Sequence, residues 1–304
     1  MSAYPVIYAP IKSVKHIAKI QNIPTHKVVD FDTKTTVSDW LYGSATDWLR
    51  RLPDLSEYDQ VVSDNLVEIL ELRPDAWLSG SFFWHDVLVD IPNNIALRAD
   101  KLLRKTYPKM ISSSLFSSNK LKEYTRLYEV GLYKSTLNKN LDHNKKNDIL
   151  ISIGHGSSLH KKVQNFINNL SKRREVLFKN VWVEPSLIPN SHPYWMRAAT
   201  YTPEMYNTLI CAVIRPGVGT ITDVLMSGGR LFLFHEQKNQ EMKHNAKSIG
   251  QLGLGLSCAN IENAWYEAEC YIYNKTIQDK HVELVNNLNF NGVKEAANIL
   301  MSCK

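Results

Sequence analysis

Short apolar runs of strand length alternate with helical patterns through both halves of this chain, and that alternation limits the possible folds more than any other feature. In the first half "PVIYAP", "HKVVDF", "YDQVVSD", "DAWLSGSFF" and "KMISSSLF" read as strands, with "TVSDWLYGSATDWLRRL" as a helix among them. In the second half come "ILISIG", "VWVEPSL", "LICAVIRPG" and "GRLFLF", interleaved with helical segments. The pattern is that of βαβ units and parallel sheets, so the expected class is α/β. Between the halves "KSTLNKNLDHNKKND", Lys134 to Asp148, is rich in Asn and Lys and almost free of large apolar residues. That composition suits a solvated connection between domains. With 304 residues, 44% of them apolar, two cores are the natural expectation, in domains spanning 1–140 and 148–304. The last helix, "GVKEAANILMS", can pack back on either domain.

Composition excludes several classes. The longest apolar runs fall far short of the roughly 20 residues a membrane span needs, and the start "MSAYPVIYAP" has no signal-peptide layout. The expected location is the cytoplasm, free or peripheral to a membrane. Cys211, Cys258, Cys270 and Cys303 are scattered without C-x-x-C spacing, which argues for reduced thiols rather than a zinc site or a disulfide framework. The formal charge of +6 is modest. Its one concentration, "HKKVQNFINNLSKRR" from His160, reads first as a solvated helix face with a cationic last turn, and second as a surface for anionic partners. No aromatic interleaving favours nucleic acid.

The stretch "VIRPGVGTITDVLMSGGRLFLF" carries the chemistry. "LICAVIR" reads as a buried strand, "PGVG" as its exit turn and "TITDVLMSGG" as a helix. Glycines at a strand-to-helix turn let the backbone approach a ligand, and the helix start offers unpaired N–H groups and a positive dipole to an anion. The spacing alone also fits a purely structural βα turn. Asp223, one helical turn after Thr220, is placed to accept hydrogen bonds from a ribose, or to compensate the helix dipole. After the next strand, "FHEQKNQEMKHNAKSIGQLGLG" supplies Glu236, Gln237, Glu241 and Asn245, groups suited to sugar hydroxyls as well as to an exposed helix start.

Taken in order, these segments resemble the C-terminal domain of GT-B nucleotide-sugar glycosyltransferases, most closely the MurG-like group that uses UDP-sugars. The resemblance rests on Arg215, Gly217, Thr220 and Asp223, then "RLFLF", then Glu241 to Asn245-Ala246, then Gly253 and Gly255, and covers roughly Asp148 to Ser257. It implies two Rossmann-like domains. The turn at Gly217 and Gly219 would face a diphosphate, Asp223 the ribose, and Glu241 and Asn245 the donor hexose. "ILISIGHGSS" looks like the first strand of that domain and its glycine-rich exit, putting Gly154, His155, Gly156, Ser157 and Ser158 at the interdomain cleft.

The first half matches such an acceptor domain less well. Its start looks like the second βα unit, so the N-terminal domain is expected to be shortened, and association as a homodimer or with a partner chain would cover the gap. Candidate bases are Asp64, at the end of the strand "YDQVV", His85, and His155. Ser63, Asp64 and Asn65 also form a good N-cap sequence for "LVEILEL", and His85, beside Trp84 and Phe83, also reads as a structural histidine. The implied activity is metal-independent transfer of a hexose or N-acetylhexosamine from a UDP- or related sugar to an unknown acceptor, with the helix dipole doing the work of a divalent ion at the diphosphate. The rivals are a nucleotide-sugar hydrolase or epimerase on the same fold, and a donor-binding subunit or sugar-nucleotide sensor.

Overall fold

The computed structural model describes residues 6–9, 28–31, 48–87, 91–134, 146–154 and 158–302. Twelve strands form three parallel sheets among these residues. Strands β1 (Ile7–Ala9) and β2 (Val28–Asp30) pair with each other. Strands β3 (Val62–Asp64), β4 (Trp77–Ser79), β5 (Lys109–Ser113) and β6 (Arg126–Val130) form a sheet in sequential order. Strands β7 (Asp148–Ser152), β8 (Asn180–Val183), β9 (Met196–Ala198), β10 (Leu209–Ile214), β11 (Arg230–Leu233) and β12 (Gly255–Ser257) form the third sheet, in the order β12-β11-β10-β7-β8-β9. The helices are α1 (Trp84–Val87), α2 (Asn93–Thr106), α3 (Asn119–Tyr124), α4 (His160–Leu170), α5 (Pro203–Thr208), α6 (Val218–Met226), α7 (Gln240–Gln251), α8 (Ile261–Ile272), α9 (Lys275–Asn286) and α10 (Gly292–Ser302).

The six-stranded sheet is covered on both faces, which is why "LICAVI" is a continuous apolar run instead of an alternating one. Ile149, Ile151, Cys211 and Val213 face α4 and α8 through Val163, Ile167, Ala264 and Trp265. Their neighbours Leu150, Ala212 and Ile214 face the opposite way, onto Ile221, Val224 and Leu225 of α6 and Ile249 of α7. From β7 the chain moves outward in one direction to β8 and β9, and from β10 in the other to β11 and β12. The strand order therefore reverses between β7 and β10, where open α/β sheets hold their ligands, beyond the carboxyl ends of the strands.

In the four-stranded sheet, Leu78 and Met110 pack on Ala99 and Leu103 of α2 and Leu121 of α3. Phe31 joins this core, with Tyr8 against it, and the Tyr8 hydroxyl meets that of Tyr58 at 2.7 Å. The segment around β1 and β2 is thus packed onto the first half's own core. The other face, formed by Trp77, Ile111 and Val130, is covered by Ala296, Ile299 and Leu300 of α10. The last helix therefore returns to the first half, and Gln60 donates to the Leu300 carbonyl at 2.8 Å.

Two chain segments meet where the halves join. Leu132 N–H donates to Asn289 O at 2.8 Å and Gly292 N–H to Leu132 O at 3.1 Å. A Cβ on Gly292 would lie 2.1 Å from the Gly131 carbonyl oxygen, so this close crossing requires bare backbone. The Glu295 carboxylate accepts from Gly131 N–H at 2.8 Å and from Asn289 Nδ2 at 2.8 Å.

Three strands have no counterpart in the sequence reading. "RLYEV" carries charges at its first and fourth positions, which breaks the two-residue period, and β9 and β12 are three residues each, too short for a period to register. Gly255, expected in a turn, begins β12, where a Cβ would lie 2.3 Å from Leu231 O. Most of "TVSDWLYGSATDWLRRL" lies outside the described residues, of which Leu49–Arg51 forms a 3-10 turn. The segment after Ser63-Asp64-Asn65 is a 3-10 helix, Val67–Glu71, with no side-chain cap, so the capping role read for those residues is not taken up.

Candidate functional site

At the exit of β10, the Arg215 N–H extends the sheet pairing to Ser152 O at 3.0 Å, and Gly217 N–H turns back to Arg215 O at 2.8 Å. Helix α6 then begins with Gly217 as N-cap and no side chain bonded to its free N–H groups. A Cβ on Gly217 or Gly219 would meet nothing within 4 Å. The helix start therefore opens onto free space with its donors and positive dipole end exposed. Asn245 lies behind this turn, fully buried in α7, and its Nδ2 donates to Pro216 O at 2.9 Å. Its Oδ1 has no hydrogen-bond partner. Asn245 thus fixes the turn from below. Thr220 stands in the first turn of α6 and Asp223 one turn later, both partly exposed.

Arg215 is not a free cation. Its Nε lies 3.0 and 3.1 Å from the two oxygens of Glu236, and both side chains are largely buried. Glu241, in the first turn of α7, is close enough to feel Arg215: burial pushes its carboxyl up, and the guanidinium partly opposes that. One guanidinium therefore faces two carboxylates, and the positive potential at this turn falls mainly to the α6 start.

The exit of β7 is built differently. Gly154 adopts φ +65°, which bare backbone tolerates. The N–H groups of Ile153 and Gly154 both donate at 2.8 Å to Oε2 of Glu184, at the end of β8. Ser152 Oγ donates to the same oxygen at 2.9 Å, and Ser186 Oγ to Oε1 at 2.9 Å. Burial pushes the Glu184 carboxyl up, but these four donors outweigh it and hold the group below the ordinary glutamate range. Ser152 Oγ also meets the Tyr201 hydroxyl at 3.1 Å. Tyr201 has φ +53° and a phenol pushed up to about 12 by burial. His155, Gly156 and Ser157 lie outside the described residues.

In the first half, Asp64 ends β3 with its side chain reaching solvent, while the protein around it pushes its carboxyl up. Tyr133 lies near enough to sense its charge, and burial raises that phenol to about 12. Asn65 has φ +57°, and its Oδ1 is buried without a partner. Asn adopts this left-handed conformation readily, and it turns the chain beyond a carboxylate at a strand's carboxyl end, where open α/β sheets hold their ligands. His85 stands on α1, at no strand end. Its ring stacks on Phe83 at 5.5 Å and its Nε2 lies 3.1 Å from Asp100 of α2, with the side chain 6% exposed. That is the environment of the structural histidine of the sequence reading.

A groove of about 830 Å³ runs between α4, the loop after β11 and the start of α8, and reaches these turns through Ser158 and Glu236. The halves also touch beside the site, where His244 Nε2 lies 2.9 Å from the carbonyl oxygen of Phe116.

The architecture is the GT-B fold: two Rossmann-like α/β units, the second with its strand order reversing between β7 and β10. Neither a protein-family profile nor a curated protein sequence matches the chain. Solved structures do. The glycotransferase of kitacinnamycin matches with a TM-score of 0.63 and 12% identity, over 98% of this chain and 91% of its own. Arabidopsis thaliana UGT89C1 complexed with quercetin matches with a TM-score of 0.61 and 10% identity, over 98% and 91%. LpCGTa in complex with UDP matches with a TM-score of 0.61 and 12% identity, over 92% and 86%. These likenesses establish the fold; they do not single out the MurG-like group.

Glu184 escaped the sequence reading. Its signal was present: an acidic residue directly after an apolar strand, "VWVE", in a sheet buried on both faces.

Proposed function

We propose that the chain transfers a hexose or N-acetylhexosamine from a UDP-sugar, or a related nucleoside-diphosphate sugar, to an acceptor hydroxyl. The observation that carries this is the open, uncapped start of α6 at Gly217 and Gly219, in a GT-B chain, at the reversal of strand order. There the helix N–H groups would hold the diphosphate and stabilise the charge that develops as it departs. Asp223 would take a ribose hydroxyl, Thr220 would border the diphosphate, and Glu241 the donor hexose. The order of Arg215, Gly217, Thr220, Asp223 and Asn245-Ala246 supports a MurG-like donor site, with the helix start in place of a divalent ion. The similar LpCGTa structure carries UDP, which supports that nucleotide.

For the base we favour Asp64 over His85. Asp64 is solvent-accessible, at a strand's carboxyl end, with its carboxyl raised toward the range useful for proton transfer, whereas His85 is buried against Asp100. His155 remains a candidate by sequence. We also propose that 1–140 and 148–304 are the two domains, with α10 of the second packed on the first and moving with it, that they close over the substrates, and that a second copy or a partner chain adjoins the first of them. No helix among the described residues is long and apolar enough to cross a membrane.

Incubation with UDP-sugars, following free UDP and free sugar separately, tests the activity. UDP released only with acceptor supports transfer. UDP and free sugar released together without acceptor identify a hydrolase, and no release with tight UDP binding identifies a subunit or sensor.

A further inference from the structure

The groove of about 830 Å³ beside the donor turn is left unused by the nucleotide. It follows one face of α4. Leu159, the N-cap, then Val163, Phe166 and Leu170 recur along it at helical spacing. Val163 and Leu170 are buried in the core, whereas Leu159 and Phe166 are half-buried. The Phe166 ring meets Trp265 of α8 at 5.9 Å, and the same side chain lines the groove. Phe234, at the end of β11, and Ile261, at the start of α8, add buried apolar surface to the lining. A helix normally covers such a stripe with a neighbour, so apolar lining that stays partly open marks a place for a ligand.

The rim is polar and its charge is unbalanced. Lys162 of α4 and Lys238 of the loop after β11 are both exposed, and neither makes an ion pair among the described residues. Arg173, at the far end, is held by Glu269 at 3.3 Å. Of the two carboxylates on the groove, Glu236 is held by Arg215, and Glu262 stands in the first turn of α8, where the helix dipole favours it. The volume falls in the range of small-molecule sites, about 300–1,000 Å³. We infer that this groove holds the body of the acceptor, an apolar ring system carrying a carboxylate or similar anionic group. The acceptor's hydroxyl turns to the mouth at Ser158 and Glu236, beside the donor turn. The inference rests on the donor site proposed above.

Fluorescence titration with two matched pairs of ring compounds tests it: 2-naphthol against 6-hydroxy-2-naphthoate, and 4-hydroxybiphenyl against 4′-hydroxybiphenyl-4-carboxylate. The proteins are the parent, Lys162→Ala with Lys238→Ala, and Asn165→Trp, whose indole would fill the groove from an exposed position. Each also receives a melting curve and a UDP titration. The parent is expected to bind each acid about threefold to tenfold tighter than its neutral partner, the size of a partly exposed ion pair. The double variant should lose that preference. Asn165→Trp should weaken all the ring compounds by at least about tenfold, with UDP affinity unchanged. No binding of either pair, no preference for the acids, or binding that the variants leave unaltered overturns the inference, and UDP binding in the same samples then keeps the donor site. A folded parent that binds the acids in the groove but not UDP overturns the donor site and the acceptor role with it.

Discussion

The exits of β7 and β10 are neighbours in one sheet, and each is a strand running into a glycine turn and then a helix. At β7 the N–H groups of Ile153 and Gly154 are taken by a buried carboxylate, Glu184, which accepts four hydrogen bonds. At β10 the helix start is uncapped, Gly217 and Gly219 face open space, and the nearby cation is held by Glu236. A glycine turn at the end of a parallel strand is therefore not in itself an anion site. What decides is whether the protein supplies its own anion. On the proposed reading the β10 exit is the part left for a ligand.

The comparison breaks most visibly at Glu184. Glu184→Ala leaves four donors without their acceptor, two of them buried, Ser152 Oγ and Ile153 N–H, so stability should fall by about 2 kcal/mol or more, read from chemical denaturation. Unchanged stability would show that the β7 turn does not depend on its carboxylate. The pH dependence follows from the same group. Its folded value lies below the ordinary glutamate value of 4.5, so its contribution is complete above that pH and is lost as pH falls through the depressed value. Glu184→Gln should accordingly flatten the parent's acid-side loss of stability below about pH 4.5.

At the other turn, Asp223→Ala should cost about 1–3 kcal/mol of UDP affinity, since hydrogen bonds to a charged group are the stronger kind, with little change in melting temperature. Asn245→Ala removes the support beneath Pro216 and should cost about 1 kcal/mol of stability, with some loss of UDP affinity as the turn loosens. The smallest effect expected is that of Glu236→Gln. The change should tighten UDP binding by less than about 1 kcal/mol and make it more sensitive to salt, because the Gln oxygen still accepts from Arg215 and only the countercharge beside the turn is removed. Weaker binding would show that Glu236 orients Arg215 for the ligand instead of competing with it.

Most of the second half was legible because its physics is local. Buried parallel strands such as "LICAVI" announce themselves as apolar runs, and a glycine turn followed by Thr220 and Asp223 keeps its spacing in the sequence. What stayed hidden depends on residues far apart in the chain. Glu184 acts on a turn thirty residues upstream, reckoned from Gly154. Asn245 is a polar residue on a polar helix, and only packing shows that it faces inward to Pro216. His85 carried the chemistry of a base in the sequence, but its stacking on Phe83 and contact with Asp100 place it in a core. The first half was less legible because β3 and β4 are three residues each. Its second covering layer, α10, comes from the far end of the chain.

The central claim is that the donor nucleotide occupies the open start of α6. Calorimetric titration of UDP into the parent and into Gly219→Val, with a melting curve for each, tests it most directly. The added side chain would enter space that is empty in the free protein, so the fold should be unaffected and UDP affinity should fall by at least tenfold. Equal UDP affinity in two equally stable proteins would contradict the account and place the nucleotide elsewhere.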